Sequence, residues 1–123
     1  MSNVGPSRIV LLGSDNPVAG VTSGQSQAIQ RFDDGVLSFY IRGIGTVSTG
    51  TLIIEEADIA PNEQDYTGTW SQIASITLSA LTGGAQQAYH IVDSSYGYVR
   101  VRLSAAVTGG GSAYVVLRSR GAN

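Results

Sequence analysis

The chain has 123 residues, 42 % of them hydrophobic and 13 % charged, with a formal net charge of −2 and no cysteine. That length suits one domain with one core, braced by neither disulfides nor a thiolate metal site. The slightly acidic balance removes the electrostatic case for nucleic acid or an anionic membrane as a partner, and apolar runs of about four residues fall far short of a spanning helix.

Met1 to Ser7, with Gly5 and Pro6, reads as an extended arm ahead of a domain over residues 8–123. This start lacks a basic segment leading into an apolar one, so no secretory signal is expected, and the chain is expected to be made in, and stay soluble in, a cytoplasm. No 3.6-residue apolar period persists beyond about two turns. Short β-type runs punctuated by Gly, Asn, Asp and Ser recur instead, at the spacing of a sandwich or barrel.

Arg8 to Leu12 predicts a first strand, closed by Gly13-Ser14-Asp15-Asn16-Pro17. Val18 to Ser23 and Gln27 to Phe32 follow, the latter ending at Asp33-Asp34-Gly35. Val36 to Ile44 alternates, with Leu37, Phe39 and Ile41 on one face and Ser38, Tyr40 and Arg42 on the other. Thr51 to Ala57 points Leu52 and Ile54 inward, and Asp58 to Gly68 is an irregular acidic stretch. Trp70 to Ala80 predicts a long strand in which Ile73 is out of phase with Ile76 and Leu78, so a bulge or a change of sheet is expected near Ser75. Gly83-Gly84 turns the chain into Gln86 to Val92, Tyr98 to Ala105 follows, and Ala113 to Arg120 closes the chain after Val107 to Ser112. Eight or nine strands and no helix make an all-β, single-domain β-sandwich. Jelly-roll or related Greek-key topology with about eight strands is expected, because so many short strands must close or stack to hide their edges.

All seven basic residues are arginine. The missing lysine reads either as bias in a small protein or as a surface of which little stays free, since lysine commonly guards open sheet edges. Four arginines fall in the last two strands. Alternation puts Val99, Val101 and Leu103 inside with Tyr98, Arg100 and Arg102 outside, and on the return Val115 and Leu117 inside with Tyr114, Val116, Arg118 and Arg120 outside. Paired as a hairpin, the two strands would set Arg100 across from Arg118 and Tyr98 across from Arg120. Like charges directly opposed destabilise a strand pair, so this face wants carboxylates. Glu55, Glu56 and Asp58 are the nearest acidic run, with Glu63 and Asp65 beyond. Two arrangements satisfy it: salt bridges within the chain, or one subunit's basic face against a neighbour's acidic segment. The second makes Arg100, Arg102, Arg118, Arg120, Tyr98, Tyr114, Glu55, Glu56 and Asp58 the candidate interface.

Catalytic, metal and cofactor chemistry is not expected. His90, the only histidine, precedes Asp93 by three residues in a strand-like run, and it reads as a structural or surface residue. Asp58, Glu63 and Asp65 fit no calcium-loop spacing and read as a solvated loop. Gly43-x-Gly45 and Gly109-Gly-Gly111 lie between strands, with no helix N-terminus to hold a phosphate. Trp70 and the tyrosines suit a core or interface, with a sugar-stacking platform as the alternative.

The Gly/Ser/Thr-rich sandwich pattern, the strand Tyr98-Val-Arg-Val-Arg-Leu103 and the Thr108-Gly-Gly turn before a final strand resemble tailed-bacteriophage structural proteins. The likeness, one of style over residues 36–120, is greatest to the jelly-roll decoration, or cement, proteins of the capsid exterior. It implies a non-enzymatic virion protein that binds junctions between major capsid subunits as a dimer or trimer and stabilises the shell. Related sandwiches in phage tails and fibres imply the alternative, a module binding a carbohydrate or another tail protein.

Overall fold

The computed structural model describes residues 7–15, 18–26, 29–31, 37–57, 70–91 and 97–119. Strands β1 (Ser7–Leu12), β2 (Ser14–Asp15), β3 (Val18–Ala19), β4 (Ile29–Arg31) and β5 (Leu37–Ile44) occupy the first part. Strands β6 (Thr49–Ala57), β7 (Ser71–Thr77), β8 (Gln86–Ile91), β9 (Gly97–Thr108) and β10 (Ser112–Ser119) follow. They form two four-stranded sheets, ordered β1-β10-β5-β8 and β4-β9-β6-β7, while β2 and β3 make a separate small ladder. The antiparallel pairs are nested: β1 with β10, β4 with β9, β5 with β8, and β6 with β7. Nested pairs folded over into two facing sheets are a jelly roll.

Alternation fills the space between the sheets. Phe39 and Ile41 from β5, Leu52 and Ile54 from β6, Val101 from β9 and Val115 from β10 have no exposed surface. They belong to one cluster that also takes in Leu37, Ile76, Val99 and Leu117.

The pairing of the last two strands differs from the sequence expectation. β9 pairs with β4 and β6, and β10 with β1 and β5. The glycine turn Gly109–Gly111 therefore carries the chain from one sheet to the other, with Gly109 at φ 104° and Gly110 at φ 96°. Residues 45–48 also cross there, and Ser48 N–H donates to the Thr108 carbonyl at 2.8 Å. The inward positions of both strands are as the alternation predicts, but they face each other across the core.

The expected long strand from Trp70 stops at Thr77, and Leu78–Gly84 forms two 3₁₀ turns kinked at Thr82 and Gly83. Leu78 and Leu81 are both buried there. Residues three apart eclipse on a 3₁₀ turn, so the apolar period changes at Leu78 from two to three. The bulge foreseen near Ser75 falls at Ile73: Ile54 opposes Ala74 and Glu55 opposes Gln72, leaving Ile73 as the extra residue. Its carbonyl accepts from the Tyr89 hydroxyl at 3.2 Å, which ties β7 to β8 across the sheets.

The opposite flank is closed by backbone. Val21 exchanges two hydrogen bonds with Ala113, at 2.8 and 2.9 Å, and the Gly24 carbonyl accepts from Leu103 N–H at 2.9 Å. Buried Ser26 then holds Val101 both ways, through its own N–H and its hydroxyl oxygen. Among the described residues no helix is long and apolar enough to cross a membrane.

Gly43 shows how closely the 3₁₀ segment seats on β5. A Cβ at this position would run into the Leu81 carbonyl oxygen, and Gly43 N–H donates to the Ala85 carbonyl at 3.2 Å. Gly43→Ala is expected to lower stability by ~1–3 kcal/mol through overpacking against backbone. Thermal unfolding measures this directly, and an unchanged Tm would show that the segment does not rest on β5.

Candidate functional site

The outer face of the β1-β10-β5-β8 sheet is laid out by its register. One row across the strands reads Arg8, Arg118, Ser38, His90; the next reads Val10, Val116, Tyr40, Ala88; a third reads Tyr114, Arg42, Gln86. Arg8 and Arg118 are directly opposed cations, an arrangement that costs stability unless other groups answer it. Part of the answer is internal, because Arg8 Nη2 donates to the Tyr114 hydroxyl at 3.0 Å. These side chains enclose an open groove of about 300 Å³, with Val116 and Tyr114 inside it and Arg8, Tyr40, Arg42, Gln86 and Arg118 around them. Val116 and Tyr114 are 5 % and 4 % exposed although they point away from the core. The stems of long polar side chains shelter such positions while their charged ends stay in water. Among the described residues no carboxylate pairs with Arg42 or Arg118, and none lines the groove.

At the groove's end, Ser38 Oγ and His90 Nδ1 lie 2.7 Å apart, and His90 meets the Tyr40 ring edge-on with centroids 6.2 Å apart. A nucleophile and a base are thus adjacent, a contact the sequence order does not reveal. Both sit one residue in from the end of their strands, on the outer face of the sheet. Ser38 lies on β5, whose amides are spent on ladders with β10 and β8, while His90 lies on the edge strand β8.

The other sheet treats its arginines differently. Arg100 Nε donates to Glu55 Oε1 and Arg102 Nε to Glu55 Oε2, both at 2.9 Å. The Arg100 guanidinium lies 4.1 Å over the Trp70 ring, a cation–π contact. Glu55 is 5 % exposed. Burial pushes its carboxyl up, but the hydrogen bonds from Arg102 and Arg100, with the charge of both guanidinium groups, outweigh that and hold it below its ordinary value.

The candidate interface therefore divides. Glu55, Arg100 and Arg102 come together on the outer face of the β4-β9-β6-β7 sheet, and their pairing is within the chain. Tyr98 lies on the same strand, opposite Ala57. Glu56 faces the opposite way from Glu55, in register with Val99. Arg118 and Tyr114 belong to the other sheet, so the expected pairing of Arg100 with Arg118 does not occur. Arg120, which was to oppose Tyr98, and Asp58 lie outside the described residues, as do Glu63, Asp65 and Asp93.

The groove brings in Arg8, Arg42, Tyr40 and Gln86, which sequence reasoning did not select. Their signal is partly legible, since Tyr40 and Arg42 alternate onto one face of β5. What the sequence lacks is the pairing that sets β1, β8 and β10 beside them. Among the described residues no group of three or more His, Cys, Asp or Glu side chains is placed to hold a metal ion. No protein-family model matches the chain, and no curated protein matches it in sequence.

Proposed function

We propose that this protein is a non-enzymatic assembly protein. In this reading it binds a protein surface rich in carboxylates through the arginine-lined groove of the β1-β10-β5-β8 sheet. One observation carries this. The two outer faces are handled oppositely: Arg100 and Arg102 share the Glu55 carboxylate, whereas Arg42 and Arg118 face an open groove with no carboxylate among the described residues. Arginine pairs bidentately with carboxylates and is preferred at interfaces. Tyrosine beside it adds contact area at little entropic cost.

Together with the resemblance to jelly-roll decoration proteins, this face supports a virion structural role. The partner is the major capsid protein, bound at subunit junctions on the outside of the shell. Two well-braced sheets and a polar, open groove suit a clamp better than a reaction chamber. Electron microscopy of the particle that copurifies with the protein should show it on the capsid exterior, at junctions between subunits. Density on a tail or fibre instead, or affinity for a glycan in solution, would overturn the capsid assignment.

The groove itself has a separate test. The double variant Arg42→Ser/Arg118→Ser should bind its shell at least about tenfold more weakly, the equivalent of one lost charge-assisted contact of ~1.4 kcal/mol. Its binding should also respond less to salt. Equal occupancy of variant and wild type would remove the groove from the contact.

A further inference from the structure

Two open sheets have four edges to protect, and among the described residues three of them carry a protecting feature. β1 carries Arg8, and its register against β10 shifts between Val10 and Leu12. β4 is only three residues long. β7 bulges at Ile73, where its pairing with β6 slips. Charge, shortness and bulges are the devices that keep sheet edges from pairing with another chain. β8 has none of them. Its register against β5 runs without a shift from Leu37 opposite Ile91 to Arg42 opposite Gln86. Its six residues, Gln86-Gln-Ala-Tyr-His-Ile91, include no proline, lysine, arginine or carboxylate.

We propose that β8 is a self-association edge. Two copies of the chain pair their β8 strands antiparallel about a twofold axis at Ala88, joining two four-stranded sheets into one of eight. This rests on the strand edge alone and stands or falls apart from the shell-binding function.

The occupant is argued from self-complementarity. A twofold axis sets a strand against its own reverse, so any charge near the axis would meet its own kind. β8 brings none. Directly opposed residues of an antiparallel pair share a face, so outer positions must meet outer positions and inner must meet inner. The axis at Ala88 satisfies this, with Gln86 opposite the partner subunit's His90 and Gln87 opposite the partner subunit's Tyr89. The residue that meets its own copy is then the smallest of the strand, and it is exposed. An axis at Tyr89 would instead oppose two rings whose hydroxyls are already bonded to Ile73 of their own chain. The dimer leaves both arginine grooves open on the same side of one continuous sheet, so one particle would present two of them.

The absence of cysteine from the chain makes the test direct. An Ala88→Cys variant puts one thiol at the axis, where opposed Cα atoms lie about 4.5–5.5 Å apart, within the span that a disulfide bridges. Under mild oxidation it should form a covalent dimer at least tenfold faster than a Ser71→Cys variant, whose thiol lies on the bulged β7 edge. Light scattering of the wild type should give twice the monomer mass. Ala88→Lys, which sets two ammonium groups against each other, should give the monomer with an unchanged far-UV circular dichroism spectrum. A wild type that stays monomeric at tens of micromolar would overturn the proposal. So would a dimer in which Ala88→Cys cross-links no faster than Ser71→Cys, or one that survives Ala88→Lys.

Discussion

A Phe39→Ala variant is expected to lose ~3–5 kcal/mol of stability. Phe39 is the largest side chain of the core with no exposed surface. It lies on β5, which is flanked on both sides in its sheet, with Leu117 opposite it on β10 and Tyr89 on β8. Strands held on two sides have little freedom to close a void, so the truncation leaves a cavity whose lining loses its partners. Domains of this kind retain only ~5–15 kcal/mol in total, and the loss should therefore appear as a large drop in the urea midpoint at nearly constant slope. Phe39→Leu, which keeps most of the volume, should lose less than about 1.5 kcal/mol. If the two variants shifted the midpoint equally, or if Phe39→Ala shifted it by less than the error of the measurement, the inward assignment of β5 would be wrong.

That assignment was legible because alternation along a strand needs no knowledge of its neighbours. Leu37, Phe39 and Ile41, or Val99 and Val101, declare an inner face from their own spacing. Strand pairing was not legible to the same degree. β9 and β10 are separated by a glycine turn, and adjacency in sequence argued for a hairpin. Yet jelly-roll topology, expected from the number of short strands, places its last two strands in opposite sheets. The two expectations conflict, and the topology wins because both strands have better partners elsewhere. The full length of β10 pairs with β5, and β9 pairs with β6 over most of its length.

The candidate site inherits the same division. Arg100, Arg102 and Glu55 were singled out by charge and parity, and the register of β6 against β9 unites them. The groove on the other sheet joins residues from 8 to 118, four strands drawn from both ends and the middle of the chain. No local pattern announces such a site. Of the four clustered arginines, Arg100 and Arg102 take their carboxylate from Glu55, whereas Arg118 lines the groove on the other sheet.

Acid should unfold this protein partly through Glu55. In the folded chain Arg102 and Arg100 hold the carboxyl below its ordinary value despite its burial; in the unfolded chain it titrates near ~4.3. Above that pH the carboxyl is ionised in both states and its full contribution is present. As the pH falls further the unfolded chain takes up the proton first, and the contribution disappears once the pH passes below the folded-state value. Glu55→Gln removes the charge at every pH. It leaves Arg100 and Arg102, two residues apart on one strand face, without their shared counter-charge. The expected loss at neutral pH is ~2–4 kcal/mol, the range for hydrogen bonds to a charged group in a largely buried pair that loses one member. Denaturation at neutral pH and again near about pH 3 separates charge from shape. The gap between wild type and Glu55→Gln should be wide in the first and narrower in the second, closing only as the pH falls through the folded-state value. Trp70, the sole tryptophan, lies under the Arg100 guanidinium, so its fluorescence should change in the variant at neutral pH before any global unfolding. A gap of equal width at both pH values would show that the variant acts through packing and that the carboxylate's charge contributes nothing.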